Sequence, residues 1–162
     1  MKIVYAIISI LLISIMASTA VPALASSNLL QNPGFETDPW TPPWFSDTSY
    51  GGYPAAISSL SHTGARALKL DGANNFAAVY QNINPPQSAS YLEFWYIATY
   101  GTFGPSQLGV VVFYSDGWSH LERLTYQSDW TQVHIKLDVS KQVETVRVFA
   151  GYETVMYIRP FA

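Results

Sequence analysis

Hydrophobic and polar positions alternate along much of the chain with a period of two. The pattern is clearest over Asp129–Asp138, where Thr131, Val133, Ile135 and Leu137 face one way and Gln132, His134, Lys136 and Asp138 the other. Val143–Ala150 repeats it, with Val146 and Val148 inward and Arg147 outward. Tyr91–Thr99 sets Leu92, Phe94 and Tyr96 against Glu93, Trp95 and Ile97, and Ala65–Asp71 turns Ala67 and Leu68 to a core, with Arg66 and Lys69 outside. Gln107–Tyr114 is a continuous apolar run, as in a strand covered on both faces. Asp116-Gly117 is a tight-turn signal from which Trp118–Tyr126 returns as the second arm of a hairpin. Ala55–Leu60, Phe76–Ile83 (closed by Pro85-Pro86) and Thr154–Phe161 complete the set. No stretch sustains a helical period. Roughly ten short strands divided by turn signals predict an all-β sandwich without internal repeat, linker or second domain.

Ahead of these strands the pattern changes. Lys2 precedes an apolar run from Ile3 to Met16, broken only by Ser9 and Ser14, and small residues then end in Ala23-Leu24-Ala25. This reads as a cleavable signal peptide over residues 1–25 and a single domain over residues 26–162. The run is shorter than the roughly 20 residues that span a bilayer, and no later stretch is apolar enough to do so. The expected product is secreted or held in the cell envelope, with no membrane span after cleavage. The chain has no cysteine, so neither a lipoprotein anchor nor disulfides are available to it. Charged residues make up 12% and aromatics 15%, with a formal net charge of −3. That balance tells against disorder and, without a basic run, against nucleic acid as a partner.

The stretch Asn28–Trp40 reads as a short apolar strand broken by a turn. Leu29 and Leu30 enter the core, Asn32-Pro33-Gly34 reverses the chain with Gly34 taking positive φ, and Phe35 and Trp40 return aromatic bulk. Asn-Leu-Leu-Gln-Asn-Pro-Gly-Phe-Glu resembles the opening strand of the galactose-binding-like jelly rolls, in particular carbohydrate-binding modules of families 4, 9 and 22, whose usual start is Asn-Leu-(Leu/Ile)-x-Asn-Pro-x-Phe-Glu. The segment Ser61–Leu68 is similar to their second signature, Ser-x-x-Gly-x-x-(Ser/Ala)-Leu, and Leu92-Glu93-Phe94-Trp95 to their Leu-x-Phe-Trp strand. The resemblance covers nearly all of Asn28–Ala162 and implies a jelly-roll β-sandwich of two antiparallel sheets. It also implies a structural calcium between the opening strand, the turn after the second strand, and an Asp-Asp near the C-terminus. Glu36 matches the family glutamate, and Ser61 and Gly64 the turn. The closing motif departs, with Tyr157-Ile158-Arg159-Pro160-Phe161 in place of Tyr-Ile-Asp-Asp-Val. The expectation is that no cofactor is held and that the Arg159 guanidinium pairs with Glu36 where the ion would lie, with a structural calcium on Glu36, Ser61 and Gly64 as the alternative.

Catalysis finds little support. Glycoside hydrolysis needs two carboxyl groups across a cleft, yet Glu93 alone sits mid-strand on an outer face, while Asp116, Asp129 and Asp138 fall at strand ends. There is no Gly-x-Ser-x-Gly, and His62, His120 and His134 are scattered without nucleophile or zinc spacing. Sugar binding asks instead for flat aromatic faces beside hydrogen-bonding groups. Alternation puts Trp95 and Glu93 on one outward face and Gln132, His134 and Arg147 on outward faces of other strands, with Gln81 and Tyr114 as further candidates. Trp44 comes from the loop Asp38–Pro54, which also holds Trp40, Phe45, Tyr50 and Tyr53 and whose prolines exclude a helix or central strand. A purely structural alternative packs Trp95 beneath that loop and pairs Arg147 with Glu93. Three readings follow. The first is an exported, non-catalytic, lectin-like domain whose partner is a polysaccharide or glycan. The second is a surface structural or adhesive protein that self-associates through edge strands. The third is a glycan-active enzyme dependent on Glu93.

Overall fold

A period of two buries one side of every strand, and such strands are stable only when two sheets close over the apolar sides. The computed structural model describes residues 28–37, 41–47, 55–72, 76–99, 108–151 and 154–160, with Thr99, Arg159 and Pro160 in backbone only. Ten strands occur among the described residues: β1 Phe45–Asp47, β2 Ala56–Ser58, β3 Ala67–Asp71, β4 Ala77–Gln87, β5 Tyr91–Thr99, β6 Leu108–Tyr114, β7 Ser119–Arg123, β8 Gln127–Lys136, β9 Val143–Ala150 and β10 Val155–Pro160. They form two five-stranded sheets, the first in the order β1-β4-β9-β6-β7 and the second in the order β2-β3-β10-β5-β8. The pairings are antiparallel. No helix occurs among the described residues, so none there is long and apolar enough to cross a membrane.

Register carries the inward rows across each sheet. In the first, Val79 lies opposite Val148 and Val148 opposite Val110. In the second, Leu68, Ile158 and Tyr96 form one row, and Leu70, Met156 and Ala98 the next. Between the sheets Leu68, Leu70, Phe94, Met156 and Ile158 meet Val79, Leu108, Val110 and Val112, all fully buried. Each large side chain so placed stabilises the fold by about 1.5–3 kcal/mol relative to exposure.

The opening segment differs from the expected strand. Residues 28–37 form bends and turns, and the carbonyl and N–H of Gln31 are matched by side chains instead of a neighbouring strand. The Gln81 amide accepts from Gln31 N at 2.7 Å and donates to Gln31 O at 2.9 Å. Trp44 Nε1 donates to Gln31 O at 3.0 Å. Leu30 and Phe35 still enter the core. The turn is not made by Gly34, because positive φ falls on Asn32 (43°) and Phe35 (57°). Asparagine tolerates that region, and the Asn32 side chain holds the loop by bonding both Thr37 N and Thr37 O.

Two other boundaries move. β1 lies inside the Pro/Trp-rich loop, at the edge of the first sheet, where a three-residue strand is compatible with nearby prolines. β4 runs past Ile83 to Gln87, because its pairing with β9 shifts between Asn82 and Gln87 and Pro85 and Pro86 fall in that irregular gap. The expected signal peptide, Trp40, Tyr50 and Tyr53 lie outside the described residues.

Candidate functional site

Three of the candidates read from the sequence face the interior. Gln81 is buried and engaged with Gln31. Trp44 is buried against Phe35, with ring centroids 5.3 Å apart. Tyr114 is buried on the same side of β6 as Val110 and Val112, its hydroxyl 3.4 Å from Asp138 N. Strand parity explains Gln81 and Tyr114. Gln81 shares a face with Val79 and Ile83, and Tyr114 continues the row of Leu108, Val110 and Val112. Gln81 and Trp44 present no surface to a polysaccharide.

Four candidates gather on the outer face of the second sheet. β5 and β8 pair Glu93 with His134 and Trp95 with Gln132. His134 Nδ1 lies 2.6 Å from Glu93 Oε1, and Tyr91 stacks on His134 at 5.2 Å. Trp95 is covered from an unexpected direction. The His62 ring, from the turn before β3, stacks on it at 4.0 Å with the planes 13° apart, and Trp130 tilts against His62 at 5.8 Å. That stack closes one face of the indole to a pyranose. Glu93 pairs with His134 rather than with Arg147, and the Glu93–Arg147 pairing therefore does not form.

Arg147 belongs to the other sheet. On the outer face of the first sheet it sits between two rings, its guanidinium carbon 5.7 Å from the Tyr80 centroid and 5.4 Å from that of Phe113. Arg147 Nη2 lies 3.4 Å from Asp47 Oδ2, and Asp47 is only 8% exposed. Phe45 stacks on Tyr80 at 5.6 Å and is itself 39% exposed. Beside this row Thr145 Oγ1 donates to Asn82 Oδ1 at 2.9 Å, leaving the Asn82 amide hydrogens for other acceptors. Arg147 Nε is buried with no hydrogen-bond partner among the described residues. The result is a strip across β1, β4, β9 and β6 in which aromatic rings flank a fixed cation and its carboxylate. Phe45 comes from the aromatic loop singled out in the sequence, whereas Tyr80 and Phe113 were not singled out there, although parity marks them as outward wherever Gln81 and Tyr114 are inward.

The residues implied for calcium come together in part. Glu36 Oε1 accepts from Ala65 N at 3.1 Å and Arg66 N at 3.2 Å, and Ser61 Oγ donates to Gly64 O at 3.0 Å. Glu36 Oε1 is thus engaged by two backbone N–H groups, whereas a hard cation is held by a cage of oxygen ligands. Among the described residues no three His, Cys, Asp or Glu side chains cluster as a metal site. The Arg159 side chain lies outside the described residues.

No family model matches the chain, and no match was found among curated proteins. Solved structures do match. A family 61 carbohydrate-binding module, solved with β-1,4-galactotriose, aligns over 83% of this chain and 96% of its own, with a TM-score of 0.54 and 20% identity. The enzymatically active domain of tailspike protein 4 of bacteriophage CBA120 aligns over 82% of this chain and 20% of its own, with a TM-score of 0.57 and 10% identity. The C-terminal family 22 module of Clostridium thermocellum Xyn10B aligns over 78% of this chain and 87% of its own, at 0.49 and 12%. The chain thus has the galactose-binding-like jelly-roll fold found in carbohydrate-binding modules, built from two antiparallel sheets.

Proposed function

We propose that the protein is an exported, non-catalytic carbohydrate-binding domain that takes a polysaccharide or glycan chain along the outer face of the first sheet. The supporting observation is the strip of Phe45, Tyr80 and Phe113 around the Arg147–Asp47 pair. Half-exposed rings offer flat apolar surface to the C–H face of a pyranose, and Arg147, Asp47 and Asn82 offer donors and acceptors to its hydroxyls. Because Arg147 is held by two rings and a carboxylate, little freedom is lost when a sugar bonds to it. The similar module solved with β-1,4-galactotriose makes β-linked oligosaccharides the first ligands to try. Hydrolysis is disfavoured on this strip, since its carboxylate Asp47 is already paired with a guanidinium while a glycosidase uses two carboxyl groups facing the bond. No cofactor takes part in this reading.

Calorimetric titration with β-linked galacto-, gluco- and manno-oligosaccharides tests it. The expected outcome is saturable binding to at least one series, weakened about tenfold, or about 1.4 kcal/mol, in each of Tyr80→Ala and Phe113→Ala, with the fold retained by circular dichroism. Binding that survives both substitutions unchanged moves the site off this face. Absence of binding to all three, together with concentration-dependent sedimentation, favours assembly through edge strands.

A further inference from the structure

The tip of the β6–β7 hairpin and the turn between β8 and β9 meet at one corner of the sandwich. Tyr114 N donates to Trp118 O at 2.8 Å, Trp118 N to Asp116 Oδ1 at 3.0 Å, and Ser115 N to Gln142 O at 3.0 Å. Lys141 binds the Asp116 carboxylate and places its ammonium 5.3 Å from the Trp118 centroid and 6.0 Å from that of Tyr114. Between the two turns is a cleft of about 410 Å³, lined by Tyr114, Trp118, His120, Lys136, Asp138 and Lys141 among others. That volume falls within the ~300–1,000 Å³ typical of small-ligand sites.

Two features of the cleft are not explained by folding. Trp118 is 68% exposed although its backbone is fixed by the turn and its ring is held by a cation. A large ring held in place beside a cleft presents a flat apolar face to whatever enters it. The polar groups around it are also incompletely used. Both bonds from Ser140 to the Asp138 carboxylate fall on Oδ1, which leaves Oδ2 without a partner among the described residues. His120 Nε2 is buried without a hydrogen-bond partner there, 3.6 Å from the Glu122 carboxylate.

We propose that this corner cleft is a second saccharide site, taking a single neutral hexose unit such as a chain end or branch. The Trp118 ring stacks on the sugar, Asp138 Oδ2 accepts from its hydroxyls and Lys136 donates to them. A carboxylate and an ammonium lining the same cleft suit adjacent hydroxyls, each of which both donates and accepts. Lys141 is paired with Asp116, and Asp138 offsets Lys136, so the lining carries no net charge to favour an acidic sugar. Ser140 holds the Asp138 carboxyl below the ordinary carboxylate range through its hydroxyl and its N–H, so Asp138 is ionised at neutral pH. The cleft is separate from the strip on the first sheet, because Tyr114 turns inward where Phe113 turns outward. It stands whether or not that strip binds glycan. Two sites on one small domain would let it bridge two glycan chains and gain avidity without tighter individual contacts.

A heteronuclear NMR titration with methyl β-galactoside, methyl β-glucoside, methyl α-mannoside and glucuronate, followed at the Trp118 indole N–H, is the test. The expected result is a saturable shift with at least one neutral glycoside. It should persist in Tyr80→Ala, and its affinity should fall about tenfold in Asp138→Asn and in Lys136→Met, neither of which removes core volume. No shift at Trp118 with any neutral glycoside overturns the proposal. So do a shift unchanged in both cleft variants, a shift lost in Tyr80→Ala, and tighter binding of glucuronate than of the glucoside.

Discussion

Gln81 is a polar side chain inside a sandwich, and it is tolerated because both ends of its amide are used by Gln31. Leucine is close to it in size and more apolar, so burial alone predicts that Gln81→Leu stabilises the protein. The bonds predict the reverse. Gln31 N loses its partner, and chemical denaturation should show a loss of about 1–3 kcal/mol with an unchanged slope. A neutral or stabilised variant would mean that Gln31 finds water or another acceptor. The same residue shows what was legible at this scale. Polarity alone made Gln81 a candidate for the surface, but its parity with Val79 and Ile83 puts it inside and its neighbour Tyr80 outside. Tyr114 and Phe113 repeat the exchange on β6. Alternation in the sequence therefore held the aromatic strip, once position along the strand was weighed above chemical type. The stacking of His62 on Trp95 was not legible, because it joins a turn to a strand of the same sheet through tertiary placement alone.

Two strands, Tyr91–Thr99 and Val143–Ala150, have the bounds that the alternation draws, each between two neighbours. The opening segment did not follow its apolar pattern, since its hydrogen bonds go to a side chain fifty positions away, which no local pattern records. The clasp between the β6–β7 hairpin and the β8–β9 turn is also a matter of side chains, and it carries a pH dependence. Lys141, and after it the Trp118 N–H, hold the Asp116 carboxyl below the ordinary carboxylate range. The Ser140 hydroxyl and N–H do the same for Asp138. Folded values below the unfolded ones mean that these groups contribute stability above the ordinary carboxylate value and lose it as pH falls through the folded values. Amide protection factors at Trp118 and Ser140, with the intrinsic pH dependence of exchange divided out, should be level from neutral pH to about pH 5, then fall below about pH 4. Asp116→Asn should remove that acid response at Trp118 and leave it at Ser140. An acid response at Trp118 that persists in the variant would assign it to another group.

At the scale of the whole molecule, the chain lacks disulfides and must hold two sheets together by packing and by whatever crosses between them. The opening segment does cross. Gln81 of the first sheet holds Gln31, Phe35 packs on Trp44, and the Glu36 carboxylate accepts from Ala65 and Arg66, the residues leading into β3 of the second sheet. This is the seam at which the resemblance to carbohydrate-binding modules implies a calcium ion, and here the glutamate oxygen that matches it is turned toward backbone N–H groups. A seam closed by hydrogen bonds responds to substitution and ignores chelation. Glu36→Ala, which removes two bonds to an exposed carboxylate worth together about 1 kcal/mol, should lower the melting temperature by roughly 2–6 °C. The parent protein should melt at the same temperature in calcium and in chelator, because an ion that does not bind the native state cannot shift its unfolding. A large calcium-dependent rise would mean that the carboxylate reorients to ligate metal, with the missing oxygens supplied from outside the described residues. If melting is indifferent to calcium and Glu36→Ala is destabilised, the two sheets are joined at this end by the Glu36 and Gln81 side chains bonding to backbone groups, without an ion.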